Sequence, residues 1–273
     1  MPATALALAL AAAVLHATWN LLLVRAGDTQ AATGVALVSS VVLFFPVALI
    51  VWDVEAAAVP YIVVSGLLEL AYIALLAAAY ARVPLSIVYP VARGTAPVLV
   101  LVIGAVVLGI DPSAGQIAGI LVVATGVMIV RGIGRDVHAG QLVLPLLVAV
   151  TIAGYTLVDR SGIHHAGAIP YFELTALITL AYPAWIVRER GAAVLRAELS
   201  LSSVVAGAAM FGAYCLVLAA LRLAPPGPVA AVRESSVVIA TGLAAGLLGE
   251  EVSRVRMLGA VLVAAGVAIL ALS

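Results

Sequence analysis

The sequence has no lysine and a single cysteine, and only 10% of its 273 residues are charged. Each shortage excludes something. A soluble domain carries about 25% charged residues, so this chain has too little polar surface to face water on every side. One thiol, Cys215, builds neither a disulfide framework nor a thiolate metal site. Thirteen basic residues, all Arg, balance thirteen acidic ones. With zero net charge, no polyanion is implied, and nucleic acid is excluded as a partner. Catalytic signatures are missing as well. There is no Gly-x-Ser-x-Gly elbow, no His-Glu-x-x-His helix and no paired aspartates, which argues against an enzyme. No Gly-x-x-x-x-Gly-Lys loop is present, which argues against a nucleotide-driven pump. No cofactor or metal is indicated. His138, His164 and His165 have no acid or cysteine at ligand spacing and read as solvated.

What the chain has in quantity is apolar sequence, 65% of the total. A membrane-spanning helix needs roughly 17–25 mostly apolar residues. Ten stretches qualify: 3–24, 33–52, 59–80, 86–109, 114–131, 141–158, 169–187, 202–221, 226–249 and 256–272. They are too long and too uniform for strands, and a helix satisfies its own backbone groups in lipid. The first stretch lacks the basic start of a signal peptide and runs on to Val24, so it reads as a retained helix. The expectation is an all-α integral membrane protein, multi-pass in a bacterial-type cytoplasmic (plasma) membrane.

The chain also repeats itself. At a shift of 140 residues Arg93 falls on Arg233, Gly109 on Gly249, Asp111 on Glu251, Gly119 on Gly259 and Gly126 on Gly266. Nearer the N-termini a shift of 135 fits better, placing Arg25-Ala-Gly27 on Arg160-Ser-Gly162. Five helices per half, an odd number, make the second half enter the membrane from the opposite side. The expected architecture is therefore ten transmembrane helices as two inverted five-helix repeats, residues 1–135 and 136–273. Such proteins bind substrate near the midplane, between the halves.

Ionisable groups inside a span cost several kcal/mol unless they are paired or face a cavity. Arg93 and Arg233 each sit eighth in their stretches, roughly 12 Å from the end at 1.5 Å per residue. Entering from opposite faces, both approach the midplane. Two guanidiniums on one cavity make a fork for a carboxylate, phosphate or phosphonate. The alternative is that each braces the fold against an acid, with Glu69 as the obvious partner. Glu234 adjoins Arg233 but points about 100° away on a continuous helix. Glu69 is open between that ion pair and a proton or other coupling-ion site, and Tyr72 shares its helix face. His16 and Asn20 lie on one face of the first helix, with Trp19 beside them. Their counterparts at the 135 shift are Thr151 and Tyr155. These polar stripes fit either a lined cavity or interhelical hydrogen bonds, and Trp19 also fits an interfacial anchor. The candidate substrate-binding residues are thus Arg93, Arg233, Glu69, His16, Asn20, Tyr72 and Tyr155. Glu173 reads as interfacial. Gly pairs 115/119, 242/246, 119/126 and 259/266 match close helix packing. The Pro225-Pro226-Gly-Pro228 run marks a helix start or a helix break.

Several of these segments resemble one family. The fourth stretch ends in Leu-Gly-Ile-Asp111 and the ninth in Leu-Gly-Glu250-Glu251. Gln116-x-x-Gly119 and Met257-Leu-Gly259 follow, with His16-Ala-Thr-Trp19-Asn20 and Tyr89-Pro-Val-Ala-Arg93-Gly elsewhere. With the five-plus-five organisation, these resemble EamA-type permeases of the drug/metabolite transporter superfamily. The resemblance implies transport of amino acids, other metabolites, nucleotide-sugar-like compounds or toxic solutes. Many members carry a basic loop after the second helix, whereas Asp53 to Pro60 has no Arg.

Orientation follows from Arg in the loops. Nine Arg follow odd-numbered stretches, and only Arg160 and Arg222 follow even-numbered ones. The count puts both termini outside the cytoplasm, opposite to the resembled family. The leading expectation is a secondary transporter for a small anionic or zwitterionic metabolite, working by alternating access. The alternative is a flippase for a lipid-linked phosphate or sugar phosphate. The partners expected are the small-molecule substrate, the bilayer and a coupling ion such as the proton, with the chain a monomer or homodimer.

Overall fold

The computed structural model describes residues 1–80, 82–83, 85–131, 138–240, 242 and 253–273, and every regular element among them is a helix. The first half gives α1 (Ala3–Val24), α2 (Thr29–Ile50), α3 (Val59–Tyr80), α4 (Leu85–Leu108) and α5 (Ala114–Arg131). The second half gives α6 (Ala139–Gly162), α7 (Ala168–Thr179), α8 (Ala181–Arg190), α9 (Ala192–Ala197), α10 (Leu201–Leu223), α11 (Pro226–Arg233) and α12 (Arg254–Leu272). Side-chain caps start several of them. Asp28 accepts from the N–H groups of Gln30 and Ala31 to open α2, Ser200 from Ser203 to open α10, and Ser253 from Arg256 to open α12.

Seven helical stretches among the described residues are long and apolar enough to cross a membrane, and α5 is apolar but shorter. The expected seventh and ninth spans are not single helices. The seventh divides into α7 and α8 at Leu180. Pro183 has no N–H to offer the Thr179 carbonyl, so the helical ladder is cut there. The ninth stops at Arg233. Glu234 and Ser235 form a turn closed by tighter bonds, from Glu234 N–H to the Ala231 carbonyl and from Ser235 N–H to that of Val232, both 3.0 Å. Helix resumes at Ser236. The Ser235 hydroxyl donates to the Val232 carbonyl at 2.7 Å, taking an acceptor that a continuous helix would use. The end of this stretch, with Gly246, Gly249, Glu250 and Glu251, lies outside the described residues.

The outward surface is the reverse of a soluble protein's. Ile50, Val106, Leu201 and Leu272 are each at least 80% exposed. Exposed apolar surface on this scale needs an apolar solvent. Inside, small side chains set the spacing: Ala5, Ala9 and Ala12 are fully buried on one face of α1. The helices gather in two groups. α1 and α2 pack on α10, and α3 and α4 pack on α6; α7 packs on both α2 and α3, and α11 on both α1 and α4, so these two lie between the groups. Each group draws helices from both halves of the sequence.

α5 and α12 cross antiparallel through glycine. A Cβ on Gly126 would lie 2.8 Å from the Gly259 carbonyl oxygen, and one on Gly259 would lie 2.8 Å from that of Gly126. Gly119 and Gly266 face each other in the same way, at 3.1 and 2.9 Å. The loops are tied at both ends of α2. At its start, the Asp28 carboxylate takes Arg190, while the Asp28 N–H donates to Glu198 Oε1 at 2.8 Å. Beyond its far end, Val54 bridges Ala166, and Glu55 Oε2 lies 3.0 Å from His165 Nδ1. His165 is therefore partnered rather than simply solvated.

Candidate functional site

The interruption after α11 builds the polar centre. Because the chain turns there, Glu234 does not sit about 100° around a regular helix from Arg233. Its Oε1 lies 3.2 Å from Arg93 Nη1 on α4 and 3.9 Å from Arg233 Nη2. One carboxylate thus stands between two guanidiniums, and all three residues are buried. This corrects the expectation that Glu69 would be the acid paired with an Arg: the partner found is Glu234, the residue set aside on the assumption of a continuous helix. The arrangement leaves valences open. Arg233 Nε and Nη2 and Glu234 Oε2 have no hydrogen-bond partner among the described residues.

His16 on α1 reaches the same cluster, its Nε2 against Arg93 Nη2. A guanidinium has only donors, so His16 Nε2 accepts and the imidazole is neutral, its remaining proton on Nδ1. Trp19 sets its ring edge-on to His16 at 4.8 Å, and its indole nitrogen is buried without a hydrogen-bond partner among the described residues. Asn20 behaves differently. Its Nδ2 donates to the His16 carbonyl at 2.7 Å, so the amide is turned back on its own helix.

Beside the guanidiniums lies a set of rings. Tyr72 on α3 meets Tyr155 on α6 edge-on at 6.2 Å, and Tyr155 is 6.1 Å from Tyr214 on α10. Tyr214 in turn stacks on Phe172 at 4.3 Å. Tyr155 lies within electrostatic reach of Arg93, Arg233 and Glu69, and so joins the two parts of the site. Glu69 is buried, with Oε1 unpartnered among the described residues, and its electrostatic neighbours are Asp159, Tyr214 and Arg233. Asp159 is buried too. Its Oδ1 accepts from Tyr171 at 3.0 Å, and its Oδ2 accepts from Tyr214. Glu173 is buried within the fold, and neither of its carboxyl oxygens has a partner among the described residues.

Six of the seven candidate residues, all but Asn20, therefore face one polar interior. Glu234, Asp159, Tyr171 and Tyr214 belong with them and were not anticipated. The signal for Glu234 was present in Arg233-Glu-Ser-Ser236, four polar residues amid apolar ones, where two serines favour a helix interruption. The apolar stretch 141–158 stops one residue short of Asp159. α6 runs one turn further, to Gly162, and carries the carboxylate inside.

Known proteins place the chain in the same frame. The fold is similar to that of one solved crystal structure, with a TM-score of 0.79 and 17% identity, over 100% of this chain and 98% of that one. No curated protein matches. Residues 139–272, α6 through α12, match the EamA-like transporter family. With its apolar exterior and its spanning helices, this integral, multi-pass membrane protein belongs to the EamA-like transporter family, within the drug/metabolite transporter superfamily.

Proposed function

We propose that the chain is a secondary transporter for a small anionic or zwitterionic metabolite, and that the substrate's negative group binds at Arg233 and Arg93. The observation that carries this reading is the sharing of Glu234. Two buried guanidiniums share a single carboxylate, and Arg233 Nε and Nη2 keep donors with no acceptor among the described residues. Buried donors without an acceptor are costly. A substrate carboxylate or phosphonate supplies the bidentate acceptor. Tyr72 and Tyr155 would flank the rest of the molecule, and His16 holds Arg93 in place.

Alternating access is the motion proposed. The polar contacts of the centre run between the two helix groups. Arg93 on α4 meets His16 on α1, and Asp159 on α6 meets Tyr214 on α10. Rocking of one group against the other would part these contacts while the glycine crossing of α5 and α12 stays closed. The ten-helix inverted repeat, with halves 1–135 and 136–273, is supported by the pairing of equivalent elements. α1 on α10 corresponds to α6 on α3, and Gly119 with Gly266 corresponds to Gly259 with Gly126.

The test is thermal stabilisation of the purified protein by carboxylates and phosphonates, each matched with a neutral analogue. A specific anion at a hundred times its Kd stabilises the native state by about 2.7 kcal/mol. Arg233→Gln is expected to melt as a folded protein and to lose that response. Equal stabilisation by neutral analogues, or an unchanged anion response in Arg233→Gln, rejects the anion site.

A further inference from the structure

Among the described residues, the central cluster holds more carboxyls than its cations can balance. Its cations are Arg93 and Arg233, while the neutral His16 only accepts from Arg93. Its acids are Glu234, Asp159 and Glu69, and Glu234 is already committed to both guanidiniums. Glu69 and Asp159 remain as electrostatic neighbours, both buried, with Arg233 the cation near them. If every acid were ionised, the cluster would carry one uncompensated negative charge in a low-dielectric interior, a costly state. One bound proton makes it neutral.

Hydrogen bonding points the same way. The donors around Asp159 are the hydroxyls of Tyr171 and Tyr214, with the Ser65 hydroxyl beside them, and both of its oxygens are supplied. A phenol has one proton to give. Tyr214 lies against Glu69 as well, but its proton is spent on Asp159. No donor reaches Glu69 Oε1 among the described residues. A buried carboxylate oxygen without a donor is unfavourable, whereas a protonated carboxyl there brings its own donor. The other charged and titratable groups facing this pair are Tyr155 on α6 and Tyr72 one turn along α3; Arg93 on α4 is turned to His16 and Glu234.

We infer that Glu69 and Asp159 share one proton, and that this carboxyl pair is a proton-binding site separate from the guanidinium site. Its role in coupling rests on the transport reading above; the shared proton does not. Both acids lie in one helix group, on α3 and α6; Tyr214 on α10 belongs to the other, and Arg233 ends α11, which packs on both α1 and α4. Any motion that parts the groups withdraws the Tyr214 donor from the pair, and the positive charge of Arg233 faces both the pair and the anion site. Substrate binding at Arg233 and proton binding at the pair are then linked through that one charge.

Infrared spectroscopy of the purified protein without substrate reads the proton directly, through the carbonyl stretch of a protonated carboxyl and its shift in heavy water. Wild type is expected to show bands from the pair and from the isolated Glu173. Glu173→Gln removes only its own band and so assigns it. The decisive expectation is that Glu69→Gln and Asp159→Asn each abolish the pair's band completely. Once one acid is gone, the other ionises beside Arg233 and the tyrosine hydroxyls. Glu69→Asp, which keeps both acids, is expected to retain a band. If only one of the two substitutions removes the band, the proton belongs to a single residue and the sharing is wrong. A band that survives both overturns the site altogether. Because no substrate is added, these outcomes stand apart from success or failure of the anion site.

Discussion

Asp28 shows how one side chain can serve two structures at once. Its carboxylate caps α2 and also receives Arg190, and the hydrogen bond from Arg190 holds its carboxyl below the ordinary value of 3.8. A depressed value in the folded state means the contribution is present above the ordinary range and is lost as pH falls through the folded-state value. Asn also caps helices, so Asp28→Asn removes the charge and keeps the cap. The melting temperature of wild type should exceed that of Asp28→Asn at neutral pH, and the gap should close on acidification. A gap that is constant with pH would show that the ion pair contributes nothing. At this scale the sequence was a fair guide to cations and a poor one to acids. Arg93 and Arg233 stood out because a guanidinium within an apolar run is costly unless it is paired or faces a cavity. Glu234 points away from Arg233 only on a continuous helix, and Asp159 lies just past the end of its apolar stretch. A shift of one turn, or one break, then decided which way each carboxylate faced.

Helices were legible as elements because apolar length alone predicts them. α1, α3 and α5 begin and end where the composition changes. The interruptions were not legible, because they depend on which backbone acceptors lose their donors: Pro183 cuts one ladder, and Glu234-Ser235 tightens another. The small-residue pattern held where both partners are described. At the crossing of α5 and α12 each glycine faces backbone, which cannot yield as a flexible side chain can. Gly126→Ala should therefore lower stability by about 1–3 kcal/mol, the usual cost of overpacking. Gly140→Ala meets nothing within 4 Å and serves as the control. Equal melting temperatures for the two variants would mean the helices can separate freely. The expected loss at Gly126 should be felt at Gly259 as well, since each occupies the other's space.

At the scale of the molecule, the Arg distribution gives a direction to test. Nine Arg follow odd-numbered stretches and two follow even-numbered ones, so a reporter fused after Ser273 should read as extracytoplasmic. Activity of a cytoplasmic reporter at that position would reverse the assignment of faces without touching the site itself. The transporter family was legible because short motifs recur at the same places in both halves. The substrate was not, because the pocket depends on side chains that meet across distant segments.

That interleaving of the halves also constrains how the protein is made. α1 has its main neighbour in α10, and α3 in α6, so the helices made first lack those neighbours when they enter the bilayer. Synthesis at about 5–20 residues per second separates the two halves by on the order of 10 s. Throughout that interval Arg93 and Glu69 are in the membrane before Glu234, Asp159 and Tyr214 exist. The first half must therefore wait as a set of inserted but unassembled helices, its charges sheltered by lipid headgroups, water or the insertion machinery. Its polar centre is completed only when the second half arrives.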